Sequence, residues 1–274
     1  MDNLDAYPTD PTRAFNSYYP NQVDYGSFAF EDLWPAYGDY DCNDLVMNFN
    51  FQIVTNAQNK VVDLILRCQI MADGASLNNG FGISLNTAPT NVDSISGYIK
   101  LGNAITLDPK GFELGHSGNT VFFPVDAVNT LLGNGMVNTV HGGNTVQTSL
   151  QTVTVHFSNP QSSIGTPPYN PFIFVDQDRG HEVHLKDHPP TALVDPGYFG
   201  TFDDATNPSQ GLYYRSGTGL PWAFEIPSSF SWPLETRDIL TAYLHFAEWA
   251  QSSGSVHTDW YLNLPGYRND QNIY

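Results

Sequence analysis

Residues 39–71 read DYDCNDLVMNFNFQIVTNAQNKVVDLILRCQIM, and this stretch determines the fold that we expect. From Leu45 to Ile53 the odd positions are apolar, while residues 48, 50 and 52 are Asn or Gln. This alternation is typical of a strand with one buried face. Asn56-Ala57-Gln58-Asn59 is typical of a turn, and an apolar run from Val61 to Met71 follows it. Pairing residue 55 with residue 60 places the apolar sets of both runs on one face, so the stretch predicts an antiparallel β-hairpin.

The same register bears on the two cysteines of the chain. It places Cys68 opposite Met47, whereas Cys42 lies several residues further along the ladder, opposite Asp73. The Cα atoms of a disulfide must lie within about 7 Å of each other. The hairpin therefore predicts that Cys42 and Cys68 are not bridged.

Outside the hairpin, short strand-like runs alternate with clusters of Gly, Asn and Pro, a spacing typical of a sandwich or jelly roll. Three- and four-residue apolar steps between Glu235 and Ser252 predict one helix with Gly254 as its cap, and a helical turn is expected at 126–132. We predict a mainly β chain, an antiparallel, jelly-roll-like β-sandwich with one C-terminal α-helix and long loops such as 186–221. The predicted strands are Phe81–Leu85, Ile95–Leu101, Thr120–Phe123, Gln151–Phe157, Phe172–Val175, Glu182–Leu185 and Trp222–Ile226.

The domain organisation is predicted from composition. Residues 1–25 are polar, contain Pro8, Pro11 and Pro20 and show no periodicity, so we interpret them as a linker or extended lead-in. Hydrophobic residues make up 41% of the chain, which is ample for a core. We expect residues 26–274 to form a single domain.

An acidic loop directly precedes the first strand of the hairpin. Its oxygen-bearing side chains follow Gly38 closely: Asp39, Asp41, Asn43 and Asp44. Adjacent carboxylates repel one another, and Ca²⁺ takes six to eight oxygen ligands of this kind. Alternation at 39, 41 and 43 allows every second side chain to face one point. The loop therefore predicts a Ca²⁺ site.

Two points about this site remain open from the sequence. An Asx-rich turn leading into a strand is the alternative interpretation, because Asp and Asn also form local hydrogen bonds in turns. Glu31 and Asp32, just upstream, either ligate the same cation or only solvate the approach to it. The loop is not an EF-hand, because its sixth and twelfth positions are Asp44 and Asn50 rather than Gly and Glu.

The charge of the chain excludes some partners. Ten Lys and Arg residues stand against 28 Asp and Glu residues, which gives a formal charge of −18. Binding to a phosphate backbone or to an anionic membrane depends on Lys and Arg, so neither nucleic acid nor such a membrane is an expected partner. No apolar window is long enough for a transmembrane helix. An acidic surface suits divalent cations, and it also simply keeps a protein soluble.

Other residue clusters give weaker signals. His181 and His184 are three residues apart in a strand-like run, whereas a zinc protease needs a spacing of four on a helix, so we do not expect a zinc site. On a strand, Glu182 and His184 would share one face. Asp176 and Asp178 could join a metal site or cap a turn. Asp203-Asp204 is typical of a turn, and no Gly-x-Ser-x-Gly elbow, P-loop or dinucleotide fingerprint occurs in the sequence.

Aromatic residues are frequent near the long loop. They either form a sugar-stacking surface or fill the core, and the second is the more common use of large aromatic side chains. The residues concerned are Tyr213, Tyr214, Trp222, Phe230 and Trp232.

Several blocks resemble one known family. Glu31-Asp32-x-Trp34-Pro35, followed by Gly38-Asp39-Tyr40-Asp41-x-Asn43-Asp44-Leu45-Val46, resembles the LruC-domain family, a DUF4842-like domain of unknown function in surface lipoproteins of Bacteroidetes. Cys42 stands where that family leads us to expect Phe. Later blocks also look like the family: Arg179–Leu185, Pro190-Thr191, Gly219–Trp222, Glu235–Trp249 and Asp259–Tyr261.

The resemblance implies an exported protein at the outer-membrane surface or outside the cell, with a leader that this sequence does not contain. Together with the acidic loop, it leads us to expect a non-enzymatic, calcium-stabilised module with an adhesive or structural role. A glycan-binding module is the alternative, and a carbohydrate-active hydrolase is a more distant one. The expected partners are a surface glycan or another surface protein.

Overall fold

The computed structural model describes residues 5–133 and 135–274, and strands dominate these residues. The strands are β1 (Phe15–Tyr19), β2 (Gly26–Phe30), β3 (Leu45–Thr55), β4 (Val61–Ala72), β5 (Gly80–Leu85), β6 (Val92–Ser96), β7 (Thr120–Val125), β8 (Gln151–Gln161), β9 (Asn170–Phe174), β10 (Glu182–His184) and β11 (Ala223–Ile226). The helices are α1 (Val128–Leu132), α2 (Ile239–Ala242) and α3 (Phe246–Gln251).

The strands form two antiparallel sheets. The larger sheet has the order β11-β2-β3-β4-β8-β6, with β1 also paired to β3, and the smaller sheet has the order β10-β9-β5-β7. Apolar side chains of the two sheets pack against each other, as Phe28 of β2 does with Phe81 of β5 at a ring-centroid distance of 6.0 Å. The predicted antiparallel β-sandwich is therefore confirmed.

The C-terminal segment covers the other face of the larger sheet around β2 and β11. Trp260 packs edge-on against Phe224 of β11 at 5.5 Å, within a second apolar cluster that also contains Val46 and Phe246. Four of the five aromatic residues near the long loop are buried, and Tyr213 is partly buried against the core: Tyr214, Trp222, Phe230 and Trp232 belong to the two clusters. These side chains fill the core.

The predicted hairpin is confirmed, but its register was wrong by two residues. Phe49 pairs with Cys68 and Ile53 with Leu64, and a bulge between Val54 and Thr55 shifts the last pair to Thr55 with Val61. Asn59 adopts a left-handed φ of 57° and lengthens the turn, which moves the pairing beyond residue 60. Because the shift is even, the apolar face is unchanged. Both cysteines are free, Cys42 in the C-terminal cluster and Cys68 between the sheets.

The two faces of β4 predict different costs of truncation. Leu64 is fully buried between the sheets, whereas Ile65 lies on the partly exposed face. Leu64→Ala should lower the free energy of unfolding by about 2–5 kcal/mol, and Ile65→Ala should cost clearly less. Urea denaturation of both variants measures the difference. Equal losses would show that the outer face of β4 is as tightly packed as the inner face.

Two sequence boundaries need correction. Residues 15–19 fall in the predicted lead-in but form β1, which pairs with β3 from Phe15–Thr55 to Tyr19–Phe51. The division into a lead-in and one domain at residue 26 otherwise stays a prediction. The strand predicted at Ile95–Leu101 lies earlier, at Val92–Ser96, because Gly97 has a φ of 85° and ends it.

The single C-terminal helix was also a wrong prediction. The segment forms α2 and α3, separated at Tyr243–His245, because the backbone there pairs with a later segment: Tyr243 bridges Arg268, and Leu244 N–H donates to Tyr267 O. After α3, Ser253 and Gly254 both have left-handed φ values, 54° and 80°, and Gly254 N–H donates to Trp249 O at 2.9 Å. In the described parts of the chain, no helix is long and apolar enough to cross a membrane.

Candidate metal centre

In the acidic loop, the backbone conformation separates the apolar side chains from the oxygen-bearing ones. Tyr40 and Cys42 have left-handed φ values of 54° and 53°, and both side chains are buried in the C-terminal apolar cluster. Asp39, Asp41 and Asn43, which alternate with these two residues, are therefore free to turn their side chains away from that cluster. The alternation read from the sequence corresponds to this division between apolar and oxygen-bearing side chains.

Strand pairing brings further acidic residues to the same place. Phe30 at the end of β2 pairs with Leu45 at the start of β3, and Val46 pairs with Ala72 at the end of β4. Residues that directly follow β2 or β4, or precede β3, therefore meet at one edge of the larger sheet. We call the resulting group the acidic centre: Glu31, Asp32, Asp39, Asp41, Asn43, Asp44, Asp73 and Glu235.

Two sets of oxygen atoms in the acidic centre converge. One ligand atom each from Glu31, Asp41 and Asp44 lies within 4.8 Å of the others, and the same holds for Asp39, Asp41 and Glu235. Asp41 belongs to both sets. Its Oδ1 accepts from Asn43 N–H at 3.1 Å, and its Oδ2 accepts from Thr236 N–H at 2.8 Å. The centre thus joins the loop to the C-terminal segment.

Several oxygens of the acidic centre are buried without a hydrogen-bond partner. They are Glu31 Oε1, Asn43 Oδ1, both carboxylate oxygens of Asp73, and Glu235 Oε2. Glu31, Asn43 and Asp73 are fully buried. Buried polar atoms in native proteins nearly always have a partner, and an unexplained group of them indicates an ion or water.

The pKa values of the carboxyl groups also indicate that an ion or protons offset the charge of the acidic centre. Burial, followed by the charge of Asp39, raises the pKa of Asp41 to about 8 and that of Glu235 to about 7. Burial, followed by Asp32, raises the pKa of Asp73 to about 8. Burial also raises the pKa of Asp32 to about 6.

The two remaining inner carboxyls are shifted in the same direction. Burial and neighbouring carboxylates hold the pKa values of Glu31 and Asp44 well above their ordinary range. Among residues 5–133 and 135–274, no Lys, Arg or His forms an ion pair with any of these carboxylates. Without a cation, the raised pKa values favour protonated carboxyl groups in the folded centre.

Gly74 shows how closely the oxygens approach the backbone. A Cβ atom at this position would lie 1.7 Å from Asn43 Oδ1 and 3.0 Å from Glu235 Oε2. Gly74 N–H also donates to Asn43 O at 3.0 Å, so the glycine and the loop cannot easily separate. The absence of a side chain at residue 74 leaves these two unpartnered oxygens facing a common space.

Of the six sequence-predicted ligands, Glu31, Asp39, Asp41 and Asp44 belong to the converging sets, whereas Asn43 Oδ1 lies beside Gly74 and Asp32 Oδ2 accepts from Asn79. The structure places two further acidic residues nearby. Asp73 and Glu235 were missed, although Asp73 directly follows β4, and the pairing of β4 with β3 could have located it. Glu235 comes from a distant segment and carried no local signal. Of the residues left open, Asp176 accepts from Asn78 N–H at 3.3 Å and Asp203 from Tyr37 N–H at 2.8 Å, so both cap loops.

Asp178 also caps a turn, since Gly180 N–H donates to its Oδ1 at 3.0 Å. The histidines of the same region are used structurally. His181 Nε2 contacts Trp34 O at 2.5 Å, and His184 Nε2 contacts Glu182 Oε2 at 2.8 Å. Glu182 and His184 therefore share one face, as predicted. Glu182 is also paired with Arg179.

One further group with metal-ligand chemistry escaped the sequence reading. His245 Nδ1 and His257 Nε2 contact Glu248 Oε2 at 2.7 Å and 2.9 Å. Unlike the acidic centre, this group lies at the surface, offers nitrogen ligands and has its polar contacts satisfied internally.

Comparison with known proteins identifies the class of the chain. The family described as a domain of unknown function (DUF4842) matches residues 59–261, so the chain belongs to it. The crystal structure of a putative lipoprotein from Bacteroides ovatus is similar with a TM-score of 0.66 and 18% identity, over 95% of this chain and 75% of that chain. This likeness confirms the fold. No curated protein matches the chain.

Proposed function

We propose that this protein is a non-enzymatic, calcium-stabilised module of an exported bacterial surface protein. The observation that carries the calcium assignment is the set of buried, unpartnered oxygens in the acidic centre. Carboxylates buried in this number without a Lys, Arg or His partner among the described residues would oppose folding unless a cation or protons offset them. A cation that binds there stabilises the folded state.

The ligand chemistry favours Ca²⁺ over other common cations. All converging groups are carboxylates or an amide oxygen, which are hard ligands suited to Ca²⁺, Mg²⁺ or Mn²⁺. Mg²⁺ demands near-ideal octahedral geometry and keeps several waters, whereas Ca²⁺ accepts six to eight oxygens in a flexible arrangement. Ligands from four separate segments, mostly buried, suit the second behaviour better.

A structural role fits the position of the centre better than a catalytic one. A catalytic metal keeps an open coordination position facing a pocket. Here Glu31, Asp41 and Asp73 have almost no exposed surface. Asp32 lines a cleft of about 440 Å³, but only 3% of its own surface is exposed. A bound cation would instead hold Glu235 of the C-terminal segment to the ends of β2, β3 and β4.

The surface location rests on the similarity to one solved structure. The similar structure is described as a lipoprotein, which supports an exported setting. For that setting we propose an adhesive or structural role. The glycan-binding alternative loses most of the aromatic side chains on which it rested, since four of the five are buried.

Direct binding tests the proposal. Chelator-stripped protein titrated with CaCl₂ in a calorimeter should bind calcium, and MgCl₂ should bind more weakly. The calcium-loaded protein should show no turnover on panels of polysaccharides, esters and peptides. Absence of calcium binding contradicts the metal assignment. Turnover that disappears in a folded Asp39→Ala or Asp44→Ala variant contradicts the non-enzymatic role.

A further inference from the structure

The acidic centre contains two converging groups of ligands, and they differ in burial. We call Glu31, Asp41 and Asp44 the inner site, whose residues are all buried. Asp39, Asp41 and Glu235 form the outer site, in which only Asp41 is buried. We propose that the acidic centre binds two Ca²⁺ ions, one at each site, with Asp41 as the shared ligand. This inference rests on the proposed calcium binding and deepens it.

The distribution of unpartnered oxygens supports two positions. Glu31 Oε1 belongs to the inner site and lies next to Gly38, where a Cβ atom would stand 2.8 Å from it. Asn43 Oδ1 and Glu235 Oε2 instead meet beside Gly74, toward the outer site. The unpartnered acceptors therefore lie against two different glycines. Each of these groups can contribute an oxygen to a separate ion, one beside Gly38 and one beside Gly74.

Charge balance supports the same conclusion. The acidic centre contains seven carboxylates: Glu31, Asp32, Asp39, Asp41, Asp44, Asp73 and Glu235. When all are ionised, one divalent cation leaves five formal negative charges in a largely buried space, and two cations leave three. A carboxylate has two oxygens and can therefore ligate two cations at once. Asp41 is placed for that role, with its two oxygens directed to different segments.

The number of ions bound per chain tests this inference. Wild-type protein stripped with chelator and titrated calorimetrically with CaCl₂ should bind two ions per chain. Glu235→Gln keeps the shape of the side chain but removes the outer charge, so this variant should bind one ion. Asp39→Asn is a second variant of the outer site and should give the same result. Asp41→Asn should weaken both binding steps.

Matched controls separate the outer site from general effects of charge. Glu225→Gln removes a partly buried carboxylate that accepts from Tyr19 O–H outside the centre, and His245→Ala removes one of the two histidines that contact Glu248 at the surface. Both should retain two ions. One ion per chain in the wild type, with or without loss in Glu235→Gln, overturns the two-ion inference and leaves the proposed function intact. No binding at all overturns the proposed function itself.

Discussion

Removal of calcium is expected to lower the melting temperature of this protein by about 10 °C or more. An ion that binds only the native state adds about 2.7 kcal/mol when its concentration is a hundredfold above the dissociation constant. Two such ions add about 5 kcal/mol, and each kcal/mol shifts the melting temperature of a domain near this size by roughly 2–4 °C. Thermal unfolding followed by circular dichroism, in excess CaCl₂ and in chelator, measures the difference.

The response of two Asp-to-Asn variants sharpens this test. Asp41→Asn should abolish most of the calcium-dependent difference, because Asp41 contributes to both sets of converging oxygens. In chelator the variant no longer has to take up a proton on folding, since burial and Asp39 raise the pKa of Asp41 to about 8, but it loses one of the two backbone N–H bonds that Asp41 accepts. Asp203→Asn changes an exposed carboxylate that caps Tyr37 N–H, and it should keep the full difference.

Superimposable melting curves of the wild-type protein in calcium and in chelator would contradict the metal assignment. Retention of the full difference in both variants would show that calcium acts through general screening of a chain with a charge of −18. Screening by a divalent ion is also reproduced by Mg²⁺ at the same concentration. The magnesium curve therefore completes the experiment.

The sequence predicts the sandwich because its strongest signal has a period of two. Leu64 and Leu66 face the core while Ile65 and Arg67 do not, and this alternation survives an error of two residues in register. The error arose in the turn, where Asn59 takes a left-handed conformation that apolar patterning does not encode. Patterns constrain which face is buried more firmly than they constrain the partner of each residue.

The C-terminal helix failed as a prediction for a different reason. The apolar period of 3.6 is present, but Tyr243 is extended and Leu244 N–H is bonded to Tyr267 O. A tertiary backbone contact thus replaces a local one, and local periodicity does not report such contacts. Glu235 was not predicted as a ligand for the same reason, because only the tertiary course of the C-terminal segment brings it close to Asp41.

The acidic loop could be predicted as a candidate metal site because its oxygen-bearing residues are close together in the sequence. Asp39, Asp41 and Asn43 alternate with Tyr40 and Cys42, whose side chains anchor the loop in the apolar cluster. Cys42 occupies a position where the family resemblance suggests Phe, and the buried thiol fits there as a small apolar group. The departure therefore affects packing behind the loop rather than the ligands in front of it.

The pH dependence of stability is expected to change with calcium. Without a cation, Asp41 and Asp73 have pKa values of about 8 and Glu235 of about 7 in the folded state, above the ordinary values near 4. The folded protein then binds more protons than the unfolded chain between these limits. Stability in chelator is therefore greatest at the acidic end of this window and is lost as the pH rises through 7 and 8.

Calcium reverses this dependence because it binds ionised carboxylates. Protons must leave before the ions bind, so the affinity for calcium rises with pH over the same window. The difference between the melting temperatures in calcium and in chelator should thus be small near pH 5 and largest near pH 8. A difference that is constant, or that shrinks as the pH rises, would contradict ligation by these carboxylates.

Because other groups also titrate in this pH range, the test uses the difference between the melting temperatures in calcium and in chelator at each pH. Burial lowers the pKa values of His181 and His184, so these residues contribute stability above their unfolded pKa near 6.5 and lose it as the pH falls. Their contribution opposes that of the acidic centre between about pH 5 and 7. Because both histidines have partners outside the acidic centre, Trp34 O and Glu182, their effect is present with and without calcium and cancels in the difference. Asp41→Asn should remove most of the calcium-dependent difference at each pH, whereas Asp203→Asn should retain the difference and its rise with pH.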